Sequence, residues 1–307
     1  MEPITIGVNT RNRPEALAVQ IHSIIHQTYP FWSLIIMDCS DIPVIQLEPI
    51  QKLLELAKKL GHSVQVIRHK STFGIPQTYQ KLMEISNTEL NVREEDDAPW
   101  HPELLIRLYE EMVKNPNLGA AGPTCPNWND AGAVHNTWPG TNYFYITDNH
   151  AWRQQLGPVL IADDVQRRPW PSVEPIPVCV MHGGFMYRKS LMVKAGGFCT
   201  NLSTQGHREE TWASLRLFLS GADILFVPRA IRWHLELQSG GSRDRSVDND
   251  RMALKMRDER LFQDWMRGVL GSGNSRISEI PIFADESLRE RISAQQALEL
   301  LTECKVG

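Results

Sequence analysis

The stretch that decides the fold of this 307-residue chain is Val92-Arg93-Glu94-Glu95-Asp96-Asp97-Ala98-Pro99-Trp100-His101-Pro102-Glu103. Its acidic run, Glu94–Asp97, follows a short apolar alternation and precedes a helix start. Neighbouring carboxylates repel one another, so such a run at a strand end indicates a cation, and hard divalent metals take oxygen ligands and themselves bind phosphate oxygens. A solvated acidic turn is the alternative interpretation, because it is the commoner fate of a charge run. The segments on either side decide between the two.

Strand-like and helix-like segments alternate on the N-terminal side of the acidic run. Alternation over Ile4–Val8, the apolar runs Leu34–Met37 and Val64–Ile67, and Leu90–Val92 each predict a strand, and apolar helical faces separate them. This order predicts an α/β fold with a mixed, mainly parallel sheet flanked by helices. In such sheets ligands bind at the carboxyl ends of strands, where Asp38 and the acidic run both fall.

The alternation breaks between Pro123 and Pro177, where Pro, Asn, Trp and Tyr are frequent. Such a segment is too long for an idle connection, so we expect a binding surface there. Order returns at Val178–Met181, which predicts a strand, and at a helix from about Glu209 to Leu219. Ser239–Arg245 follows as a flexible basic loop.

The C-terminal part predicts a helical extension of two helices, at about Asp248–Val269 and Ser287–Cys304. An apolar cluster on the first helix predicts either docking onto the core or a homodimer contact. Its members are Leu261, Phe262, Trp265, Met266 and Val269.

Composition excludes several classes of protein. The chain is 42% hydrophobic with a net charge of −4, which fits a globular protein and gives no overall basic signature for nucleic acid. Five cysteines without CxxC spacing argue against a zinc site or a disulfide framework and favour a reducing compartment. No apolar run approaches the ~20 residues of a membrane helix, and the first residues predict a strand and no signal peptide. We therefore expect a cytoplasmic protein without an integral membrane segment.

Two further stretches carry chemically useful groups. Glu209 and Glu210 stand at a predicted helix start, where carboxylates stabilise the helix dipole and where one of them could act as a general base. His234 follows a predicted strand in Arg232-Trp233-His234-Leu235. A lone histidine at a strand end is more often structural than a ligand, so its role depends on what lies beside it.

The order of these parts resembles the family 2-like glycosyltransferases with the GT-A fold, over roughly Pro3–Leu235. Any one matching motif is weak evidence, whereas their shared order and spacing are strong. The motifs in chain order are Asn12-Arg13-Pro14, Ser23-Ile24-Ile25-His26-Gln27-Thr28-Tyr29-Pro30, Met37-Asp38, Gly74-Ile75-Pro76, Glu95-Asp96-Asp97 in the place of an Asp-x-Asp motif, Trp100–Leu105, Gly196-Gly197-Phe198, Glu209-Glu210 with Arg216, and His234.

The resemblance implies a metal-dependent enzyme that moves a sugar from a nucleotide-diphosphate sugar to an acceptor hydroxyl. The donor is expected to be a UDP-sugar, because Asp38 would read uracil. Asp97 would be the direct metal ligand and His234 the second. Mixed carboxylate and imidazole ligation suits Mn²⁺ at least as well as Mg²⁺. Glu210 would be the general base of an inverting reaction, and Glu209 is the alternative base.

The resemblance also assigns supporting roles, with Glu94 expected to be only solvated. Donor-binding residues would be Thr10, Arg11, Arg13, Asp38, Gly74, Glu95, Asp96, Arg243 and Arg245. Acceptor-binding residues would be Trp128, Trp138, Tyr143, Gly183 and Gly184. The catalytic domain would span residues 1–235, with a nucleotide-sugar half at 1–122 and an acceptor half at 123–235, followed by the loop and helical extension at 236–307.

Some positions depart from the family pattern. Asp38-Cys39-Ser40 replaces the usual Asp-Asp-Gly-Ser, and Tyr79-Gln80 replaces an Arg-Asn pair, so an arginine that supports the base and phosphates is missing there. Arg243 or Arg245 could replace that charge if their loop closes over the diphosphate. The catalytic candidate is a glutamate, one methylene longer than the usual aspartate.

Alternative functions remain open at this point. A nucleotidyltransferase is disfavoured because Asn9–Arg13 contains no glycine. A catalytically degenerate protein that only binds a sugar nucleotide is a second alternative. The acceptor could be a glycan, a lipid, a protein or a modified nucleic-acid base.

Overall fold

A computed structural model of the chain describes residues 1–69, 74–126, 144–147, 156–162, 174–237, 239–241, 250–284 and 290–302. The strands among them are β1 (Ile4–Thr10), β2 (Trp32–Asp38), β3 (Ser63–Arg68), β4 (Leu90–Glu95), β5 (Leu118–Thr124), β6 (Phe144–Thr147), β7 (Val159–Ala162), β8 (Ile176–Pro177), β9 (Phe185–Arg188), β10 (Asp223–Ile231) and β11 (Ile282–Phe283).

The helices in these residues cover both faces of the larger sheet. They are α1 (Pro14–Ile25), α2 (Glu48–Lys59), α3 (Ile75–Ile85), α4 (Leu104–Lys114), α5 (Lys189–Lys194), α6 (Glu209–Leu219), α7 (Arg251–Leu270) and α8 (Ala294–Thr302). Side chains of α1, α2 and α4 pack into one apolar cluster, and those of α3, α6 and α7 pack into the other. None of these helices is both long enough and apolar enough to cross a membrane.

Eight strands form a mixed sheet in the order β3-β2-β1-β4-β9-β5-β10-β8. Strands β1 to β4 pair in parallel, as do β5 and β10, whereas β9 runs antiparallel between β4 and β5. Strand β8 pairs antiparallel with the edge of β10. The prediction of a mixed, mainly parallel sheet flanked by helices is therefore confirmed.

Burial on both faces explains the apolar run in β2. Leu34 and Ile36 belong to one apolar cluster, and Ile35 and Met37 belong to the other. This is the pattern of a strand covered by helices on both sides, because successive side chains point to opposite faces.

The predicted strand at Val178–Met181 is wrong. This segment is buried but makes no ladder, since the backbone N–H of Val178 donates to Ile224 O at 3.0 Å and that of Met181 donates to Ser214 Oγ at 2.8 Å. The strands lie on either side of it, in β8 and β9. An apolar run indicates that a segment is buried but not how it is buried. Here the segment lies between β10 and α6 and is not a strand of the sheet.

The C-terminal helix α7 docks onto α6. Trp212 of α6 stacks on Trp265 with ring centroids 5.0 Å apart and meets the Phe262 ring edge-on at 5.7 Å. Phe262 and Met266 are fully buried in the same cluster. The buried side chains of this apolar cluster therefore dock α7 onto the core, which is one of its two predicted roles. The other role, a homodimer contact, stays a prediction.

The insert between β5 and β8 is joined to the same C-terminal part of the chain. Strand β6 pairs antiparallel with β7 and parallel with β11 in a separate three-stranded sheet. Gln263 of α7 brackets β7, since its amide nitrogen donates to Leu160 O at 2.9 Å and its oxygen accepts from Leu160 N at 3.0 Å.

Helix α7 also carries two fully buried carboxylates, Asp258 and Glu259. Arg208 Nε donates to Glu259 Oε2 at 2.8 Å, and His207 Nε2 lies 3.0 Å from the same oxygen. Burial raises the pKa of Glu259, but the Arg208 guanidinium and the hydrogen bonds from His207 and Arg208 outweigh burial and hold that pKa below its ordinary value.

We predict that the carboxylate of Glu259 makes stability fall in acid. Because its folded pKa is depressed, its contribution is complete above the unfolded pKa of about 4.3 and is lost as the pH falls towards the folded value. Glu259→Gln should lower the free energy of unfolding at pH 7 by about 3 kcal/mol, and this difference from the wild type should shrink below pH 4. Urea unfolding at several pH values measures both.

The matched control is Asp264→Asn, which removes the same charge from the same helix at a side chain that is 69% exposed. This change should alter stability by less than about 0.5 kcal/mol. A deficit of Glu259→Gln that stays constant between pH 7 and pH 3 would contradict the prediction.

Candidate active site at the carboxyl ends of the strands

The acidic run is held by the chain segment that follows β10. The backbone N–H of His101 donates to Ile231 O at 2.9 Å, that of Trp233 donates to Pro99 O at 2.9 Å, and that of Leu235 donates to Asp97 O at 2.9 Å. These bonds lay residues 231–235 beside residues 97–101, at the carboxyl end of β4. His234 is thereby brought to the acidic run across the two strands, β9 and β5, that separate β10 from β4.

Glu95, Asp97 and His234 form a group that could hold a metal ion. Each offers one ligand atom, and these atoms all lie within 4.8 Å of one another. His234 Nε2 is 3.7 Å from Asp97 Oδ2. Two carboxylate oxygens and one imidazole nitrogen fit Mn²⁺ or Mg²⁺ in chemistry. The sequence-predicted ligands Asp97 and His234 do lie together, and Glu95 joins them.

Asp96 binds the last residue of β1 and the N-cap residue of α1. Thr10 Oγ1 donates to Asp96 Oδ2 at 2.8 Å, and Arg13 Nη1 donates to Asp96 Oδ1 at 3.2 Å and to Asp97 Oδ2 at 2.8 Å. Burial and the neighbouring Asp97 charge raise the pKa of Asp96 to about 7, against the lowering effect of Arg13 and Thr10. Three of the predicted donor-binding residues, Thr10, Arg13 and Asp96, thus form one buried network.

The expectation that Glu94 is only solvated is wrong. Its side chain is 1% exposed, pairs with the buried Arg232 and accepts a hydrogen bond from Trp100 Nε1 at 2.6 Å. Burial raises the pKa of Glu94, and the Arg232 guanidinium opposes that shift. Of the four members of the run, Glu94, Asp96 and Asp97 are buried and only Glu95 is partly exposed, so a charge run can have both buried and open members.

Gly183 and Gly184, predicted to contact the acceptor, pack against this ion pair. A Cβ on Gly184 would meet the Glu94 carboxylate and would lie 2.6 Å from Arg232 Nη1, and one on Gly183 would collide with the Arg232 guanidinium. The absence of a side chain at both positions lets the pair lie against the backbone. An acceptor contact of these glycines stays a prediction.

The general-base candidates Glu209 and Glu210 begin α6 but have different surroundings. Glu209 is 2% exposed and forms an ion pair with Arg93 of β4. Burial raises the pKa of Glu209, and the Arg93 charge acts in the opposite direction. Arg93 itself is fully buried, lies 4.1 Å from the Tyr79 ring centroid and donates to Gly183 O.

Glu210 is partly exposed, and its carboxylate makes no hydrogen bond with the described part of the chain. It lies near enough to the Arg93–Glu209 pair to contribute to the pKa shifts of both. Arg93 Nη2 is also 3.8 Å from Glu95 Oε1. This guanidinium therefore links the start of α6 to the group of Glu95, Asp97 and His234. Of the two glutamates, Glu210 is the more exposed.

Asp38 lies at the end of β2 as predicted and is fully buried. Its Oδ1 accepts from Ser40 N at 2.9 Å, and its Oδ2 accepts from Val44 N at 2.9 Å and from Arg68 Nη1 at 2.9 Å. Arg68 ends β3 and was not identified from the sequence, although its place at a strand end next to β2 was a usable signal. It puts a guanidinium beside Asp38 in a chain that has Tyr79-Gln80 in place of the family's arginine.

Two backbone segments pack near residues that the sequence assigns to donor binding. Gly74 caps α3, where a Cβ would lie 2.6 Å from Thr204 Cα, so a glycine permits that approach. Ser239 O accepts from Arg13 Nε at 2.9 Å, and Gly241 N donates to Arg11 O at 2.8 Å. The basic loop therefore starts beside Arg11 and Arg13. The predicted site residues Arg243, Arg245, Trp128, Trp138 and Tyr143 lie outside the described residues.

The solved structures with similar folds include three that contain a nucleotide or a nucleotide sugar. GalNAc-T7 with UDP, GalNAc and Mn²⁺ is 16% identical with a TM-score of 0.56, covering 76% of this chain and 43% of that one. The mannosyltransferase PcManGT from Pyrobaculum calidifontis, in complex with GDP-Man and Mn²⁺, is 14% identical with a TM-score of 0.55, covering 78% and 58%. S. aureus TarS 1–349 in complex with UDP-GlcNAc is 12% identical with a TM-score of 0.52, covering 77% and 59%.

At these identities the likeness shows the fold alone, and the chain corresponds to between 43% and 59% of the length of these three structures. No curated protein matches the sequence. The family model described as glycosyl transferase family 2 matches residues 5–169, which is more than half of the 307 residues. That match includes the strands β1 to β5 and the acidic run at their carboxyl ends. The chain belongs to glycosyl transferase family 2.

Proposed function

We propose that this protein transfers a sugar from a nucleoside-diphosphate sugar to an acceptor hydroxyl in a metal-dependent, inverting reaction. The observation that carries the proposal is the convergence of Glu95, Asp97 and His234 at the carboxyl ends of the strands. Such edges are where ligands bind in open α/β sheets. A solvated acidic turn would not bring a histidine from residues 231–235 to within 3.7 Å of Asp97.

Asp97 and His234 would hold the ion, with Glu95 as a third ligand or through a water molecule. A bound Mn²⁺ or Mg²⁺ supplies Lewis-acid stabilisation of the charge that develops on the leaving diphosphate. The same residue, Arg13, contacts Asp96 and Asp97 and so brings a positive charge to the place where phosphate oxygens would lie.

The donor nucleotide would extend from this group towards β2, where Asp38 and Arg68 lie side by side. The preference for UDP rests on the family resemblance, in which an aspartate in the place of Asp38 accepts from the uracil ring N–H. In this chain that carboxylate is fully buried and already accepts from Ser40, Val44 and Arg68, so reading uracil requires it to become accessible. The similar structures include both UDP-bound and GDP-bound proteins, so the base is a matter for the experiment. Roles for Arg11, Gly74, Arg243 and Arg245 in donor binding, and an acceptor site from the 123–177 insert, remain part of this proposal.

Glu210 would remove the proton from the acceptor hydroxyl as that oxygen attacks the anomeric carbon. Its open carboxylate suits a base, since a general base must reach the proton that it abstracts. Glu209 is less suited, because its carboxylate is buried and paired with Arg93. The role of Glu209 is to keep Arg93 paired beneath the first turn of α6.

We expect UDP with Mn²⁺ to raise the melting temperature of the protein. A ligand that binds only the native state stabilises it by RT ln(1 + [L]/Kd), which is about 2.7 kcal/mol at a concentration of 100 Kd. UDP, GDP, ADP and their sugars should be screened by thermal shift with Mn²⁺ and with EDTA. Asp97→Asn should lose the metal-dependent part of the shift.

The control is Asp264→Asn on the exposed side of α7, which removes one carboxylate far along the chain from the site and should respond as the wild type does. If no nucleoside diphosphate shifts the melting temperature with Mn²⁺, the donor assignment is wrong. If GDP or ADP is preferred over UDP, only the assignment of uracil to Asp38 is wrong.

We expect Glu210→Gln to lower the rate of sugar transfer or donor hydrolysis by about 10²–10⁴-fold while donor binding is retained, because only the base is removed. Release of nucleoside diphosphate from the donor that shows the largest thermal shift measures the rate. Wild-type release would also exclude a degenerate protein that only binds sugar nucleotides. A variant as active as the wild type would contradict the assignment of Glu210.

A further inference from the structure

The buried carboxylates of α7 lie outside residues 5–169, to which the family match is confined. Both Asp258 and Glu259 are 0% exposed, and both bind one short loop, residues 203–208, immediately before α6. Within α7, Gln263 Nε2 also donates to Glu259 Oε1 at 2.7 Å. Buried charges are costly to desolvate unless charged partners or hydrogen bonds compensate them. The partners of these two carboxylates therefore show what the carboxylates stabilise.

Asp258 holds the first part of the loop. Its Oδ1 accepts from Ser203 N at 2.7 Å, and its Oδ2 accepts from Ser203 Oγ at 2.6 Å and from His207 N at 3.1 Å. Glu259 holds the last part through His207 and through both Nε and Nη2 of Arg208, at 2.8 Å and 3.3 Å. The loop is therefore fixed at both ends by adjacent residues of one helix.

The residue that Glu259 holds has a strained backbone. Arg208 has φ +71° and is the N-cap of α6, a left-handed conformation that costs a non-glycine residue of order 1–3 kcal/mol. Such a conformation persists only where its surroundings impose it. Here the salt bridge to Glu259 supplies the constraint, and the two residues that follow are Glu209 and Glu210.

The loop also touches the donor side of the site. Thr204 O accepts from Ile75 N at 3.4 Å, and a Cβ on Gly206 would lie 3.0 Å from Pro76 Cδ. The loop is thus packed between the start of α3, next to Gly74, and the start of α6. A change in its conformation would turn the first turn of α6 relative to the group of Glu95, Asp97 and His234.

We propose that Asp258 and Glu259 are positioning residues that fix the direction of the Glu210 carboxylate by clamping residues 203–208. The inference rests on the proposed function, since it takes Glu210 as the general base. It gives the C-terminal helix a part in the reaction, because α7 would set the geometry of the group that acts on the substrate.

Glu259→Gln should lower kcat for donor hydrolysis by about 10- to 100-fold, because small misplacements of reacting groups cost up to about 10²-fold. The KM for the donor and the thermal shift by UDP with Mn²⁺ should stay within twofold of the wild type, since Asp97 and His234 are untouched. Asp258→Asn should act in the same direction. Asp264→Asn, which removes a charge from an exposed position of α7, should leave both constants unchanged.

A double-mutant cycle with Glu210→Gln separates positioning from general destabilisation. If Glu259 acts through Glu210, then Glu259→Gln should cause little further loss in the Glu210→Gln background, because the group that it positions is already inactive. Two losses that multiply fully would overturn the proposal. So would a wild-type kcat in Glu259→Gln, or a fall in donor affinity that accounts for the whole loss of rate.

Failure of the proposed function has a different signature. If the wild-type protein neither binds a nucleoside diphosphate with Mn²⁺ nor hydrolyses its sugar, the activity itself is wrong. If the wild type does both and the variants of Asp258 and Glu259 equal it in kcat, only the positioning inference is wrong.

Discussion

The buried guanidinium of Arg93 joins strand β4 to the start of α6. It stands on β4 one position before the acidic run, forms an ion pair with Glu209 at the start of α6, and lies 3.8 Å from Glu95 Oε1. Charges taken out of water are tolerated only when they are paired and hydrogen-bonded, and loss of one partner leaves the other uncompensated. The start of α6 is therefore tied to the end of β4 by electrostatics, in addition to apolar packing across the sheet.

The same rule accounts for the arginines around the acidic run. Glu94 pairs with Arg232, Asp96 and Asp97 share Arg13, and Asp38 pairs with Arg68. Each of these arginines comes from a segment distant in sequence, so the strand ends gather a set of carboxylates together with the charges that make their burial possible. Glu95, Asp97 and His234 come together at the same strand ends, with Arg93 beside Glu95 and Arg13 beside Asp97.

Local sequence patterns predicted the strands and helices but not which side chains pair across them. Alternation and apolar runs located β1 to β4, and the helix signals around Glu209 placed α6 at its observed start, because these depend on neighbouring residues. The pairing of Glu94 with Arg232 and of Arg93 with Glu209 spans 138 and 116 positions, and spacing carries no information on such contacts. For the same reason Val178–Met181 looked like a strand: its apolar side chains report that it is buried and leave open what it packs against. The meeting of Asp97 and His234 was anticipated from the family resemblance and not from composition or periodicity.

The small sheet has a consequence for how the chain folds. Its strand β6 comes from the middle of the sequence, and its neighbour β11 comes from near residue 282, with Ile282 in register with Phe144. Pairing of segments so far apart pays a large loop-closure entropy and tends to form late. During synthesis, β6 and β7 must wait for most of the remaining chain to leave the ribosome before β11 can complete their sheet. This three-stranded sheet is therefore expected to be among the last parts of the protein to acquire its structure.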